Sequence, residues 1–216
     1  MSTGKSNTKL LYLTFLFLGV TMGCTEESEP LPFLGQKQIE EKIVNGEEVT
    51  DTIPYTIPAF KMVNQEGDTL TEETVEGSIY VADFFFTSCP TICPKMKQQL
   101  LRVYEKYESE PKVKILSHSI DPRHDSVSVL KEYAEKLGVS APKWHFMTGE
   151  RDSIYTLARA YMIPAEEDPE APGGYAHSGA FLLIDENRHV RGVYDGTDPE
   201  SVDKLLRDIK TLLRHG

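Results

Sequence analysis

Ile79-Tyr80-Val81-Ala82-Asp83-Phe84-Phe85-Phe86 leads directly into Thr87-Ser88-Cys89-Pro90-Thr91-Ile92-Cys93-Pro94, and no other part of the chain constrains the fold as much. The first eight residues are almost continuously apolar, which is typical of a strand buried on both faces of a sheet. Apolar positions after Pro94 recur at helical spacing, so the two cysteines lie between a buried strand and the first turn of a helix. The amide dipoles of a helix N-terminus favour thiolate, so this dithiol is expected to be reactive.

Three residues separate Cys89 from Cys93, one more than redox enzymes usually carry. This spacing puts both sulfurs on one face, one helical turn apart, and it leaves metal binding and thiol–disulfide exchange open. A structural disulfide is the third alternative, and a chain of this size with a single usable pair does not favour it.

The first 23 residues have the pattern of a secretory signal, with Lys5 and Lys9 ahead of the apolar run 10–20 and Gly23 ahead of Cys24. The apolar run is too short to span a bilayer. Cys24 is therefore expected to be the lipid-acceptor cysteine of a bacterial lipoprotein, with ordinary cleavage nearby or an uncleaved anchor as the alternatives. The chain is expected to be exported, to the periplasmic side of a bacterial membrane.

The formal charge is −11 and becomes −13 once the signal and its two lysines are removed. Such an acidic body argues against nucleic acid as a partner. Residues 24–51 are acidic and carry little apolar periodicity, so we expect a flexible tether there. Residues 52–216 are expected to form one globular domain.

Alternating strand and helix patterns follow the first hairpin, which is predicted around the turn 64–68. Strands are predicted at 79–86, 113–120, 144–147, 180–184 and 189–194, and a loop rich in Pro, Gly and acidic residues at 164–176. Together they predict an α/β fold with a mixed central sheet flanked by helices and an N-terminal β-hairpin. A dithiol between the first central strand and its helix is the thioredoxin-like arrangement.

His177 is the next candidate, because it precedes a predicted strand that should lie beside the cysteine strand. Two thiolates and one imidazole form a soft, low-coordinate set that suits Cu(I) and Cu(II), whereas zinc would normally take a fourth ligand.

The sequence resembles the Sco (SenC) family of copper-binding assembly factors of cytochrome c oxidase. The matching segments are Thr87 to Pro94, Ser119-Ile120-Asp121-Pro122 followed by Asp125, Thr148-Gly149, Ala158-Arg159-Ala160-Tyr161, and His177-Ser178. The resemblance implies a copper site made of Cys89, Cys93 and His177. It also implies a partner, subunit II of the oxidase or another copper-accepting protein.

Two carboxylates are further candidates. Asp83 lies in the apolar strand six residues before Cys89, the offset at which thioredoxins carry a buried aspartate that helps to move the thiol proton. A buried carboxylate is costly unless it is paired or protonated, so Asp83 raises the odds of thiol–disulfide chemistry. Asp121 is expected to orient His177, to act as a distant donor to the metal, or to serve as an ordinary turn residue beside Pro122.

The sequence therefore favours a membrane-tethered copper chaperone, with a thiol–disulfide reductase acting on apo-oxidase or another exported target as the alternative. The first would bind metal without turnover and the second would be an enzyme. The two roles are compatible, because copper loading into a dicysteine target requires reduced thiols.

Overall fold

A computed structural model describes Met1 and residues 29–215. Except for Met1, the predicted signal lies outside these residues, and so does the predicted lipid-acceptor Cys24. Within the described part of the chain, no helix is both long and apolar enough to cross a membrane.

Eleven strands and four helices, with one short 3-10 helix at Glu72–Val75, form the described chain. The strands are β1 Gln38–Val44, β2 Glu47–Ile53, β3 Lys61–Asn64, β4 Thr69–Thr71, β5 Ile79–Phe85, β6 Val113–Ser119, β7 Trp144–Thr148, β8 Ala165–Glu167, β9 Tyr175–His177, β10 Ala180–Ile184 and β11 Val190–Asp195. The helices are α1 Cys93–Tyr107, α2 Val127–Leu137, α3 Arg151–Ala160 and α4 Pro199–His215.

The main sheet has seven strands in the order β11-β10-β5-β6-β7-β3-β4. Strands β5, β6 and β7 run parallel, while β10 and β3 join them antiparallel on either side. This is the mixed sheet predicted from the sequence, and β3 with β4 is the predicted N-terminal hairpin.

The cysteine strand is an interior strand of this sheet, between β10 and β6. All seven residues of β5 are buried, and Phe84 and Phe85 are at most 1% exposed. Each fully buried aromatic or aliphatic side chain contributes about 1.5–3 kcal/mol to folding. The dithiol is consequently attached to a strand that is buried along its whole length, which fixes where the loop after β5 begins.

The structure corrects the prediction of a flexible tether over residues 38–51. These residues belong to an antiparallel ribbon, β1 with β2, whose register runs from Gln38 opposite Ile53 to Val44 opposite Glu47. Asn45 and Gly46 connect the strands with φ of 56° and 87°, the left-handed conformation that a tight hairpin turn requires. An Asn-Gly pair between alternating residues was the sequence signal for this ribbon.

Part of the predicted tether also docks on the body. The Leu34 amide donates to the Val190 carbonyl at 2.8 Å, and the Arg191 guanidinium donates to the carbonyls of Leu31 and Pro32. Strand β11 is an edge of the main sheet, so this segment covers backbone groups that an open edge would expose. Val190 starts β11 at the end of the sheet opposite the cysteines.

Candidate metal centre

The two cysteines lie in and just after the loop that joins β5 to α1. The Cys89 amide donates to the Phe86 carbonyl at 3.2 Å, which folds the chain back immediately after the strand. Cys89 Sγ lies 3.7 Å from the Thr91 hydroxyl, and Cys93 is the first residue of α1, followed by Pro94. Both side chains are buried, Cys89 to 7% exposure and Cys93 to 2%.

Burial decides the protonation of Cys93. It raises the pKa of the Cys93 thiol to about 12, and a hydrogen bond with Cys89 acts in the same direction. The positive charge of Lys97 lowers this pKa but does not offset the desolvation. The expectation that the helix N-terminus favours thiolate is therefore wrong for Cys93, because a dipole gain is smaller than the cost of an anion in an apolar site.

His177 ends a small ribbon that the sequence prediction treated as a loop. Strand β9 pairs with β8, with Ala165 opposite His177, while β10 rather than β9 pairs with the cysteine strand. The imidazole of His177 lies outside the described part of the structure. Among the side chains that are described, no three of His, Cys, Asp or Glu form a group that could hold a metal ion.

The chain on both sides of His177 contacts the cysteine loop. The Tyr175 ring lies 5.1 Å from the Phe86 ring, centroid to centroid. Gly173 has φ of +83°, and a Cβ there would meet the Phe86 ring at 2.7 Å, so only glycine fits this approach. Beyond His177, a Cβ on Gly179 would lie 3.7 Å from Cδ1 of Ile92. His177 thus lies between Tyr175, whose ring contacts Phe86, and Gly179, whose backbone passes close to Ile92.

Asp83 is fully buried and forms an ion pair with Lys97. Its Oδ2 accepts from Lys97 Nζ at 2.6 Å, and its Oδ1 accepts from the Ser117 hydroxyl. Ser117 lies opposite Asp83 in the β5–β6 register and also accepts from Lys97 at 3.2 Å and from the Trp144 indole at 2.9 Å. Both carboxylate oxygens are therefore occupied within this network.

Sequence reasoning missed Lys97, the partner of Asp83. It lies one turn after Cys93 on α1, is 2% exposed, and its ammonium is 3.9 Å from the centroid of the Phe85 ring. A lysine at a position that shares a helix face with buried residues was the available signal. Since a buried charge requires a counter-charge, Asp83 and Lys97 could have been matched as a pair.

Asp121 and Asp125 connect the end of β6 to other parts of the site. Asp121 Oδ1 accepts from the Tyr175 hydroxyl at 2.7 Å. Asp125 is buried and accepts from the Thr87 hydroxyl at 2.5 Å and the Ser119 hydroxyl at 2.6 Å. The N-cap of α2 is Ser126, so Asp125 is a bridge between two loops and does not cap the helix itself.

The five other histidines lie on separate elements and loops of the described chain, and His189 Nδ1 is 3.4 Å from Asp185 Oδ2. His118 and His145 are buried in β6 and β7, and burial lowers the pKa of each to about 4. His124 and His215 are exposed.

In the acidic loop, Glu167 accepts from Arg123 at 2.9 Å and from Arg151 at 3.0 Å.

The profile of the SCO1/SenC family matches residues 50–214. The chain belongs to this family. The match spans the whole of the main sheet and all four helices, so it covers the site as well as the scaffold.

Solved structures of the family superpose on the chain and confirm its thioredoxin-like fold. A SCO1/SenC family lipoprotein from Bacillus anthracis matches with a TM-score of 0.67 and 27% identity, covering 74% of this chain and 95% of that one. BsSco, described as having a disulfide switch and as a member of the Sco family of cytochrome c oxidase assembly proteins, matches with a TM-score of 0.64 and 30% identity, covering 73% and 93%. ScoI from Arabidopsis thaliana with copper bound matches with a TM-score of 0.62 and 25% identity, covering 74% and 98%.

Proposed function

We propose that this protein is a copper chaperone that binds copper through Cys89, Cys93 and His177 and assists assembly of the binuclear copper centre of cytochrome c oxidase. The observation that carries the proposal is the pair of contacts on either side of His177: Tyr175 on Phe86 and Gly179 beside Ile92. The ring contact of Tyr175 and the close approach of Gly179 to Ile92 support a position of the His177 backbone near the loop that carries the two buried thiols.

The chemistry of the donors supports copper. Thiolates are soft ligands that hold Cu(I), and imidazole serves both oxidation states of copper. Cys93 keeps its proton at neutral pH because burial raises its pKa to about 12, so a thiolate there requires a cation to compensate its charge. A bound metal supplies that compensation and displaces the proton. The copper-bound Arabidopsis relative is consistent with the same cargo here.

Family membership supports the wider role. BsSco, at 30% identity, is described as belonging to a family of oxidase assembly proteins, and the Bacillus anthracis relative is described as a lipoprotein. We propose that this chain is likewise exported and tethered to a bacterial membrane through Cys24, and that subunit II of the oxidase or another copper-accepting protein receives the metal. Asp121 would orient the histidine strand through Tyr175.

Copper titration of the reduced protein tests the metal site. We expect one copper per chain and, with Cu(II), an intense sulfur-to-copper charge-transfer absorption that His177→Ala weakens or abolishes. His124→Ala is the matched control, because this exposed histidine lies on the segment between β6 and α2. Unchanged affinity and spectrum in His177→Ala would show that the three-ligand site is wrong.

The second candidate function is a thiol–disulfide reductase, which the buried Asp83 beside the dithiol helix favours. In this reading Asp83 would exchange a proton with a cysteine, as a buried carboxylate near a dithiol can. Against it, both oxygens of Asp83 are bound by Lys97 and Ser117. BsSco, the relative described as having a disulfide switch, supports this second candidate.

Oxidase activity in cells separates the two candidates. A chaperone needs the imidazole as well as both thiols, whereas a reductase needs only the dithiol. We expect His177→Ala to lower cytochrome c oxidase activity about as much as Cys89→Ser, and added copper to restore part of it by mass action on a weakened site. Normal oxidase activity in His177→Ala with loss in Cys89→Ser would favour the reductase.

A further inference from the structure

The histidine ribbon, defined here as β8 with β9, forms a sheet of its own. Its strands have three residues each and pair with one another, whereas β10, which follows directly, belongs to the main sheet. A two-stranded ribbon of this length is not stable alone in water. Its position next to the cysteine loop therefore depends on the side chains that attach it to the body.

Two cross-strand neighbours provide polar attachments. Tyr175 and Glu167 face each other in the ribbon register. The Tyr175 hydroxyl donates to Asp121 Oδ1 at 2.7 Å, and Glu167 accepts from Arg123 and Arg151. The salt bridges of Glu167 are largely exposed and contribute little, so the partly buried tyrosine is the stronger of the two attachments.

Asp121 is itself fixed to the cysteine loop. Its amide donates to Ser119 Oγ at 3.1 Å, and Ser119 donates to Asp125 at 2.6 Å. Asp125 also accepts from the amide of Thr87 at 3.1 Å, two residues before Cys89. A continuous series of hydrogen bonds thus runs from the cysteine loop to the hydroxyl of Tyr175, two residues before His177.

We propose that Tyr175 is a positioning residue whose hydrogen bond to Asp121 acts as a latch that holds the histidine ribbon against the cysteine loop and sets how fast copper can leave. The inference rests on the proposed function. A site of few ligands hands over its metal most readily when one ligand swings away, and opening of this latch would free the ribbon strand that carries His177.

The surroundings of Tyr175 suit a latch that is closed at rest. A tyrosine hydroxyl is a hydrogen-bond donor at neutral pH, and that of Tyr175 donates to Asp121 Oδ1 at 2.7 Å. Its ring contact with Phe86 does not depend on the hydroxyl. Removing the oxygen alone therefore weakens the attachment and leaves the packing in place.

Tyr175→Phe is the test, with Tyr194→Phe as the matched control. Tyr194 also donates to a carboxylate at 2.7 Å, Asp208, but it joins β11 to α4. We expect amide hydrogen exchange over 165–167 and 175–177 in the copper-free protein to accelerate about tenfold in Tyr175→Phe. A factor of about ten corresponds to the low end of the stabilisation that a hydrogen bond to a charged acceptor provides. Loss of Cu(II) to excess EDTA should accelerate by the same factor, because its rate is proportional to the fraction of molecules in which the histidine ribbon is detached from the cysteine loop. The control should change neither rate.

The outcomes separate failure of the latch from failure of the proposed function. Wild-type exchange and copper-loss rates in Tyr175→Phe would overturn the latch, and so would equal changes in Tyr194→Phe. If His177→Ala loses copper at the wild-type rate, the proposed ligand set fails. The exchange rates of the copper-free ribbon would still decide whether Tyr175 holds it.

Discussion

Removing either member of the buried ion pair Asp83–Lys97 should destabilise the protein far more than removing both. The side chains are 0% and 3% exposed, so a single substitution leaves an uncompensated charge in the core. Breaking such a pair costs about 3–5 kcal/mol, whereas neutral residues of similar volume at both positions are often close to neutral in stability. For a chain of this size the single loss corresponds to a fall in Tm of about 6–20 °C.

The assay is urea denaturation at pH 7 of Lys97→Met, Asp83→Asn and the double variant. Lys97→Met should lie at the upper end of the range, because the charged Asp83 then keeps only Ser117 as a partner. In Asp83→Asn, the charged Lys97 keeps both Ser117 and the Phe85 ring. The double variant should recover most of the loss. Lys131→Met is the control, since its ion pair with Glu66 is 50% and 40% exposed and should contribute at most about 1 kcal/mol. Additive single losses, or losses no larger than the control's, would refute this account of Asp83.

Acid and alkylation provide two further predictions. His118 and His145 have pKa values lowered to about 4 by burial. Each histidine takes up its proton near pH 6.5 in the unfolded chain but only near pH 4 in the folded protein. The free energy of unfolding is therefore highest above pH 6.5 and falls by about 3 kcal/mol for each histidine as the pH is lowered towards 4. Urea titrations from pH 7 to 4.5 should show this slope, and His118→Gln should remove about half of it; a flat profile contradicts the assignment. Iodoacetamide at pH 8 should label Cys89 well before Cys93, since a pKa of about 12 leaves about one Cys93 in ten thousand as thiolate. Equal labelling rates by mass spectrometry would show that burial does not control Cys93.

The central strand and the dithiol were predictable because their signals are local. The apolar run ending at Phe86 predicts β5 to within one residue, and Pro94 marks the first turn of α1. The hairpin β3 with β4 follows from its turn cluster in the same way. In each case neighbouring residues in the sequence are the ones that form the structure.

The parts that were missed depend on contacts between distant segments. The ribbon β8 with β9 forms in a stretch rich in Pro, Gly and acidic residues because Tyr175 and Glu167 have partners on other elements. The role of Asp83 was open because its partner Lys97 comes from the opposite side of the cysteine loop. No periodicity within either segment encodes which residue of another segment it will meet.

The electrostatics of the dithiol favour metal handling over proton relay. A redox cysteine needs a thiolate near neutral pH, which a lowered pKa provides. Here the nearest cation, Lys97, is already bound by Asp83 at 2.6 Å, and the pKa of Cys93 remains raised to about 12. Lys97 lowers the pKa of Cys93 too little to offset burial, and both oxygens of Asp83 are already bound by Lys97 and Ser117. A soft metal ion brought into the site would supply the positive charge that two buried thiolates require.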